Sequence, residues 1–318
     1  MLDRIERIDK PLMYTKPPKI KLEYDIEPTK DIVRVVDCPL VVGEGADKKE
    51  LIKSLTMNVR RGEHVAIIGA NGIGKTSILK LIQGIIPHEG GNISWGGNVK
   101  ISYFEQEHAI LDPHKTVLEE IMDRYPRLSE QQARSVLGAV LLTGENVFKP
   151  ISVLSGGERA KLCFAIMALN RGNVLVLDQP TNHLDLSTKE VLEDALAEFG
   201  GTIILVSHDR YLLNKVASRI IEIKHDEVNS YEGNFDAYSE AVNAASQLKM
   251  QSEAEIKRAE EEKAYKENKA RQYRSKEQRA ADAQKRNRIR ELEKEIEDTE
   301  VLIFELENAI SDPEIASD

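Results

Sequence analysis

The sequence predicts an α/β fold with a largely parallel, helix-covered sheet, followed by a long α-helical arm. Between residues 31 and 232, short runs of β-branched and aliphatic residues alternate with segments of helical periodicity. Strands that are apolar on both faces are typical of a parallel sheet covered by helices. After Gly233, glycine and proline are absent until Pro313, while Glu, Lys, Arg, Ala and Gln dominate. The composition therefore separates an α/β part from a helical extension.

Short strand-like segments recur through the α/β part. They are Ile32–Val36, His64–Ile68, Val174–Asp178, Thr202–Val206 and Ile220–Ile223. Two further segments, Asn92–Trp95 and Asn98–Phe104, flank the pair Gly96-Gly97. Because a Gly-Gly pair between two strand-like segments is typical of a β-hairpin, we expect these two strands to pair with each other.

The composition excludes several classes of protein. The chain has 318 residues, 41% of them hydrophobic, which is enough for a packed core. No apolar run approaches the roughly 20 residues that a membrane helix needs, and the first ten residues lack the apolar segment of a signal peptide. Cys38 and Cys163 have no metal-ligand spacing, so we expect reduced thiols in a cytoplasmic protein without membrane insertion.

The net charge of −10 conceals two opposite blocks. Residues 263–290 contain eleven basic and three acidic residues, a net charge of +8. Residues 291–318 contain one lysine and eleven acidic residues, a net charge of −10. The basic block is predicted either to contact nucleic-acid phosphates or to form a solvated helix that matches the acidic segment after it.

The arm carries a heptad pattern near its end. Apolar positions with one polar member alternate in steps of three and four at Ile289, Leu292, Ile296, Thr299, Ile303, Leu306 and Ile310. This spacing predicts a coiled-coil helix from about 285 to 310. The preceding stretch, 236–284, has few apolar residues, and we expect it to form a helix that packs antiparallel to the seam.

A glycine-rich segment follows the predicted strand His64–Ile68 and precedes a helix of apolar periodicity. It fits the pattern G-x-x-x-x-G-K-[ST] with Gly69, Ala70, Asn71, Gly72, Ile73, Gly74, Lys75 and Thr76. In this pattern backbone N–H groups surround a phosphate, the lysine reaches the β- and γ-phosphate oxygens, and the hydroxyl binds Mg²⁺. The helix N-terminus, with Ser77 in its first turn, adds a partial positive charge. We therefore predict a site for a nucleotide with bound Mg²⁺.

The strand Val174–Asp178 supplies a carboxylate to the same site. Four apolar residues precede Asp178, so a buried strand carries the acid to its C-terminal edge, where ligands bind in open α/β sheets. Together with the glycine-rich segment, this pattern predicts that Asp178 is a partner of the Mg²⁺ ion.

The segment 154–158 begins a helix and narrows the family. Its residues Ser155, Gly156, Gly157 and Glu158 leave several N–H groups and a hydroxyl free at the helix start, which favours an anion site. In this context the segment resembles the signature motif of ATP-binding cassettes. The resemblance implies a P-loop ATP-binding cassette with a mixed sheet and a helical signature subdomain. It also implies that this helix contacts the γ-phosphate held by an opposite cassette, so that two cassettes enclose two ATP molecules.

Three further residues match the cassette pattern in the family's order. Gln106 resembles the glutamine that contacts Mg²⁺ and the attacking water, Asp185 lies in a segment like the loop that couples the two sites, and His208 resembles the histidine on the γ-phosphate. The resemblance therefore implies catalytic roles for Gln106 and His208, and it adds Gln106 to Thr76 and Asp178 as a metal-binding residue.

Residues 182–185, Asn-His-Leu-Asp, are typical of ABC-F proteins. These are soluble cassette ATPases, most of which act on ribosomes and carry two cassettes joined by a charged helical linker. The resemblance implies that residues 1–18 end this linker, 19–232 form the second cassette, and 233–318 form a C-terminal coiled-coil extension that is truncated. We therefore expect a second cassette as partner, in a longer parent protein or as an ATP-dependent homodimer. Ribosomal RNA is the expected partner of the arm.

Two positions depart from the family pattern. Gln179 stands where the family has a glutamate that polarises the attacking water, a role worth roughly 10²–10⁴ in rate. A carboxamide cannot accept the proton, so we expect this chain to bind MgATP and hydrolyse it slowly, either as a Glu→Gln trap or as a naturally degenerate site. The stretch Cys38–Lys49 contains no aromatic residue to stack on adenine, which leaves GTP as an alternative nucleotide.

The sequence also leaves other functions open. The cassette motifs alone fit the nucleotide-binding subunit of a membrane transporter, although the linker-like N-terminus and the tail disfavour it. A chromosome-organising or recombination ATPase would carry a long coiled coil between Lys75 and Ser155, which are only 80 positions apart. A non-enzymatic ATP-gated clamp would suit Gln179 if that residue is native. The leading prediction is an ATP-driven conformational switch that acts on ribosomes.

Overall fold

The computed structural model describes residues 19–43, 48–104, 111–225 and 227–310. The chain divides into two compact units, one reaching Val242 and the other beginning at Asn243. The predicted linker, residues 1–18, lies outside the described residues. Over the described ranges, no helix is both long and apolar enough to cross a membrane.

Strands and helices alternate through the first unit. The strands are β1 (Asp31–Val42), β2 (Lys49–Arg60), β3 (His64–Gly69), β4 (Asn92–Trp95), β5 (Ile101–Phe104), β6 (Val174–Asp178), β7 (Thr202–Val206), β8 (Arg219–Ile223) and β9 (Val228–Glu232). The helices are α1 (Lys75–Ile82), α2 (Val117–Arg124), α3 (Glu130–Ala139), α4 (Gly156–Asn170), α5 (Leu186–Ala197), α6 (Arg210–Val216) and α7 (Phe235–Ile310). This order of elements is the α/β pattern that the sequence predicts.

The strands form two sheets. A three-stranded antiparallel sheet has the order β2-β1-β4. The larger sheet has the order β5-β6-β7-β3-β8-β9, and its neighbours are parallel except for the last pair, β8-β9. Because the parallel strands point the same way, their carboxyl ends share one edge. The loops that follow β3, β6 and β7 therefore begin side by side.

The larger sheet is buried on both faces. Along β3, Val65 and Ile67 belong to one hydrophobic cluster, while Ala66 and Ile68 belong to a second cluster. This alternation is the period of two that places successive side chains on opposite faces of a sheet. The first cluster includes residues of α1 and the three-stranded sheet, and the second includes residues of α2 to α6. Burial on both faces explains why these strands are continuously apolar.

The predicted hairpin around Gly96-Gly97 is wrong. β4 pairs with β1 in the small sheet, whereas β5 pairs in parallel with β6 in the large one. A Cβ on Gly96 would clash with the carbonyl oxygen of Asp31, so this glycine is needed where the chain approaches β1 closely rather than for a tight turn. Parallel pairing lets β5 bury residues such as Phe104, which is 4% exposed.

The helical arm is one continuous α-helix. α7 runs from Phe235 to Ile310 without a break, so the expected antiparallel packing of 236–284 against the seam is wrong. Seam residues Ile289, Leu292, Ile296 and Ile303 are exposed. The arm is helical as predicted because it lacks helix-breaking residues throughout this length.

Candidate functional site

Four strands of the large sheet that precede predicted site residues end at its shared carboxyl edge. The glycine-rich loop follows β3, Gln179 follows β6, and His208 follows β7. In the sheet register Val206 lies beside both Ile67 and Asp178, so β7 stands between the loop and the acidic strand. The fourth strand, β5, precedes Gln106, which lies outside the described residues.

The glycine-rich loop ends in a conformation that requires glycine. Gly74, the residue before α1, has a φ of 102°, in the left-handed region that side chains disfavour. A Cβ there would lie 2.8 Å from Leu40 Cδ2 and 2.9 Å from Leu51 Cδ1. The small sheet thus packs directly on the start of α1. The loop from Gly69 to Lys75 is held by the core and leads into a helix N-terminus, the geometry that binds phosphate.

Lys75 is held inside its own loop. Its Nζ donates hydrogen bonds to the carbonyl oxygens of Gly69, at 3.0 Å, and Ala70, at 2.9 Å. The residue is only 7% exposed. Burial lowers the pKa of the amine, while the charge of Asp178 acts in the opposite direction. The amine and the carboxylate are therefore close enough to interact, as a shared phosphate and metal site requires.

Thr76 and Asp178 offer oxygen atoms suited to Mg²⁺. Asp178 is 1% exposed at the end of the fully buried strand β6, and Thr76 is exposed at the start of α1. Mg²⁺ prefers such hard oxygen donors and is usually held by one or two protein groups together with phosphates and water. No group of three or more His, Cys, Asp or Glu side chains in the described ranges forms a complete metal site. Thr76 and Asp178 therefore have the hard oxygen donors that Mg²⁺ prefers.

Gln179 has a fixed backbone and a partly accessible side chain. Its N–H donates to the carbonyl oxygen of Val206 at 2.8 Å, and its own carbonyl accepts from Asn182 N at 3.1 Å. Its φ of 50° is unusual for a residue other than glycine. Such conformations persist only where neighbouring contacts hold them. The strand, the turn and β7 together hold this residue directly after the buried carboxylate of Asp178.

His208 extends from a well-anchored loop. Ser207 is 1% exposed, and its Oγ accepts a hydrogen bond from Asp209 N at 3.0 Å. His208 itself is exposed and lines, with Gly69 and Ala70, a cavity of about 670 Å³. Partial desolvation lowers the pKa of its imidazole, and the positive charge of Lys75 lowers it further. The imidazole therefore lies near the glycine-rich loop, and its neutral form is favoured.

The signature segment forms a reciprocal cap at the start of α4. Ser155 Oγ accepts from Glu158 N at 3.2 Å, while Ser155 N donates to Glu158 Oε2 at 2.9 Å. Ser155 Oγ also donates to Glu158 Oε2 at 2.9 Å, and the two hydrogen bonds donated by Ser155 lower the pKa of the Glu158 carboxyl. The cap fixes the first turn, and Ser155 and Gly156 are exposed. The segment presents a rigid helix start to solvent.

Asp185 lies where the chain enters α5 and caps that helix. Its Oδ1 accepts from Thr188 N at 2.9 Å and from Ser187 Oγ at 2.6 Å. Its Oδ2 lies 2.8 Å from Lys161 Nζ on α4, the signature helix, which the signature segment begins. Sequence reasoning missed Lys161, because one lysine on an amphipathic helix carries no signal that distinguishes a buried pair from a solvated side chain.

The comparisons with known proteins agree with this geometry. Residues 52–182 match the family model described as ABC transporter. The chain is 38% identical over 254 residues to YdiF of Bacillus subtilis, whose name describes an ATP-binding protein, covering 80% of this chain and 39% of YdiF. It is 36% identical over 257 residues to ABC transporter F family member 5 of Arabidopsis thaliana, covering 80% of this chain and 36% of that protein.

A third relative is the energy-dependent translational throttle protein EttA of Mycobacterium tuberculosis. It is 38% identical over 206 residues, which cover 62% of this chain and 37% of EttA. The chain thus spans between 36% and 39% of the length of these relatives.

A solved structure shows the same fold. The ATP-binding cassette MJ0796, in a dimeric post-hydrolysis state bound to ADP and Pi, aligns with a TM-score of 0.55 and 24% identity, covering 63% of this chain and 98% of that chain. The match to the cassette family model is consistent with a sheet edge that carries Lys75, Asp178 and His208. The relative named for the F family points the same way. The chain therefore carries an ATP-binding cassette that is similar to the cassettes of ABC-F proteins.

Proposed function

We propose that this chain binds MgATP at the carboxyl edge of its parallel sheet and closes on a second cassette, and that this movement acts on the ribosome in the cytoplasm. The observation that carries the proposal is the presence of Lys75, Asp178 and His208 at one edge, in a chain that also has an exposed, capped signature helix. The name of EttA as a translational throttle protein supports the ribosome as partner.

Each residue at the sheet edge has a separate task in binding the nucleotide. The N–H groups of the loop 69–74 and the start of α1 hold the phosphates. Lys75 exchanges the carbonyl oxygens of its loop for phosphate oxygens, and its charge then offsets theirs. Thr76 and Asp178 hold Mg²⁺, which neutralises negative charge on the phosphates when bound. The neutral imidazole of His208 donates a hydrogen bond to the terminal phosphate.

With Gln179 in this position, the site holds ATP and hydrolyses it slowly. The side chain follows Asp178 directly and is partly exposed, so it can hydrogen-bond a water beside the terminal phosphate. A carboxamide orients that water but cannot take its proton. We therefore propose that nucleotide binding proceeds normally while hydrolysis is slow.

The closing surface is made of residues that flank the motifs. Val153 precedes the signature segment, Leu186 follows Asp185, and Tyr211 follows the loop that contains His208. These three residues are 65%, 73% and 68% exposed, respectively. Large apolar side chains exposed beside phosphate-binding motifs favour contact with another protein surface. A second cassette would cover them when its own motifs meet the nucleotide. The dimeric state named for MJ0796 supports this arrangement.

The arm supplies a charged surface for RNA. In the basic block, 263–290, Lys263, Lys276 and Arg279 are exposed on α7. Arg288 pairs with Glu291 at 3.1 Å, and Lys266 pairs with Glu262 at 2.7 Å. Exposed pairs of this kind are weak, so phosphates can replace them. We propose that the block contacts ribosomal RNA, with few aromatic residues to stack on bases.

Pelleting with purified ribosomes tests the proposed partner. Binding with MgATP should be lost when 243–318 is removed, and it should fall as salt rises, with a log–log slope of about −0.7 per phosphate neutralised on single-stranded RNA. Glu293→Gln is the matched control, because it changes an exposed residue of the acidic segment and leaves the basic block and its ion pairs intact, so it should not weaken binding. Binding that ignores salt or survives loss of the arm rejects the RNA contact.

A further inference from the structure

We propose that Lys161 is a positioning residue that fixes the segment 182–185 onto the signature helix, so that the two surfaces facing a second cassette move as one unit. The inference rests on the proposed pairing of cassettes. It gives Lys161, which lies outside the nucleotide-binding motifs, the task of coupling the segment 182–185 to the signature helix.

An ion pair joins the two segments. Lys161 Nζ lies 2.8 Å from Asp185 Oδ2, and the Lys161 side chain is only 13% exposed whereas that of Asp185 is 51% exposed. A lysine with so little access to water depends on its counter-charge, since an unpaired buried cation is costly. The partly exposed carboxylate weakens the pair by solvent screening. The link therefore matters more for position than for overall stability.

The two oxygens of Asp185 have separate partners. Oδ1 caps α5 by accepting from Thr188 N and Thr188 Oγ1, each at 2.9 Å, while Oδ2 faces Lys161. Burial by itself would raise the pKa of Asp185, but hydrogen bonds from Lys161, Ser187 and Thr188 hold it well below its usual value. The carboxylate is therefore charged at neutral pH. Removing Lys161 leaves the helix cap in place and breaks only the ionic link to α4.

A steric contact acts on the same face of the signature helix. A Cβ on Gly157 would lie 2.7 Å from the carbonyl oxygen of His183, so the first turn of α4 touches the backbone of the segment. Gly157 and Lys161 are four residues apart, which places them on one face of the helix. One contact is steric and one ionic, and together they hold the segment at two points. A shift of α4 on binding a phosphate would carry the segment with it.

Sedimentation of Lys161→Met, in the chain with Gln179, tests this coupling. The Kd of the ATP-dependent dimer should rise about tenfold, the effect of losing a coupled pair of roughly 1.4 kcal/mol. ATP affinity of the monomer should stay unchanged, because Lys75 and its loop are intact. Hydrogen exchange at the amides of 182–186 should become faster in the monomer. Lys161→Arg should restore both quantities, because it keeps the charge.

Arg219→Met is the matched control. The Arg219 side chain is 11% exposed and pairs with Glu63 at 2.7 Å. Because Arg219 lies at the amino end of β8, its loss removes a similarly buried pair at the edge of the sheet opposite the nucleotide site. This control should lower the melting temperature without changing the dimer Kd.

If the unsubstituted chain dimerises with ATP and Lys161→Met dimerises equally well, with unchanged exchange at 182–186, the positioning role is overturned and the proposed pairing stands. If the unsubstituted chain binds ATP and never dimerises, both the pairing and the coupling that rests on it are overturned.

Discussion

Lys75 Nζ lies 2.9 Å from the carbonyl oxygen of Ala70, a hydrogen bond that connects the end of the glycine-rich loop to its beginning. A second hydrogen bond to Gly69 completes the closure. The amine therefore keeps polar partners although it is almost fully buried, as a buried cation requires. Phosphate oxygens can replace the two carbonyls with little rearrangement, since the end of the loop at Gly74 is already held against Leu40 and Leu51.

Lys75→Met should weaken ATP binding by about 10- to 100-fold, because charge-assisted hydrogen bonds are worth roughly 1.5–3 kcal/mol. Titration with a fluorescent ATP analogue measures the affinity. Lys80→Met, on the same helix, is the control for loss of charge and should bind normally. Equal affinity in Lys75→Met and the unsubstituted chain would mean that the loop does not hold the phosphates.

Gln179→Glu should raise the rate of ATP hydrolysis by about 10²–10⁴, the contribution of a general base. The reason is that a carboxylate at this position can accept the proton of the attacking water. Phosphate release at saturating MgATP measures the rate. Gln132→Glu, which changes an exposed amide on α3, should leave the rate unaltered. Equal rates for Gln179→Glu and the unsubstituted chain would exclude a base role at this position.

Gly157→Ala should disrupt cassette pairing while sparing nucleotide binding. The added Cβ would lie 2.7 Å from the carbonyl oxygen of His183, so either α4 or the segment 182–185 must move. We expect loss of the ATP-dependent dimer, seen by gel filtration, with ATP affinity within about twofold of normal. Gly200→Ala is the matched control, because a Cβ there meets nothing within 4 Å. An intact dimer in Gly157→Ala would show that this contact tolerates displacement.

Both cysteines should resist thiol reagents in the folded chain. Burial raises the pKa of Cys163 to about 12 and also raises that of Cys38, and the thiolate is the reactive form. Ellman's reagent at pH 8 should therefore react slowly with the native protein and rapidly with two thiols per chain in urea. Rapid reaction of the native chain would mean that one of these thiols is accessible.

The buried strands were the most predictable part of the fold. Val174–Asp178 and Thr202–Val206 have the predicted bounds, because strands covered on both faces are apolar throughout and end where polar residues begin. β2 was not predicted, although Leu55, Met57 and Val59 recur at the period of two of a half-buried strand. That signal was present in the sequence and would have identified the strand.

Long-range pairing was less predictable. The Gly96-Gly97 pair has the composition of a hairpin, yet Gly96 is needed where β1 approaches, and only the tertiary arrangement shows this. The prediction of an antiparallel arm was wrong because heptad spacing indicates that an apolar seam needs a partner but does not identify that partner. The pair between Lys161 and Asp185 depends on helix packing that brings residues 24 positions apart together, so no local pattern reveals it.

Light scattering with and without MgATP tests the central proposal most directly. The chain with Gln179 should be a monomer without nucleotide and should roughly double in mass with MgATP, because slow hydrolysis holds the closed state. Lys75→Met should remain a monomer in both conditions. A chain that binds ATP with normal affinity but keeps the same mass at concentrations far above its nucleotide Kd would contradict ATP-driven pairing of cassettes.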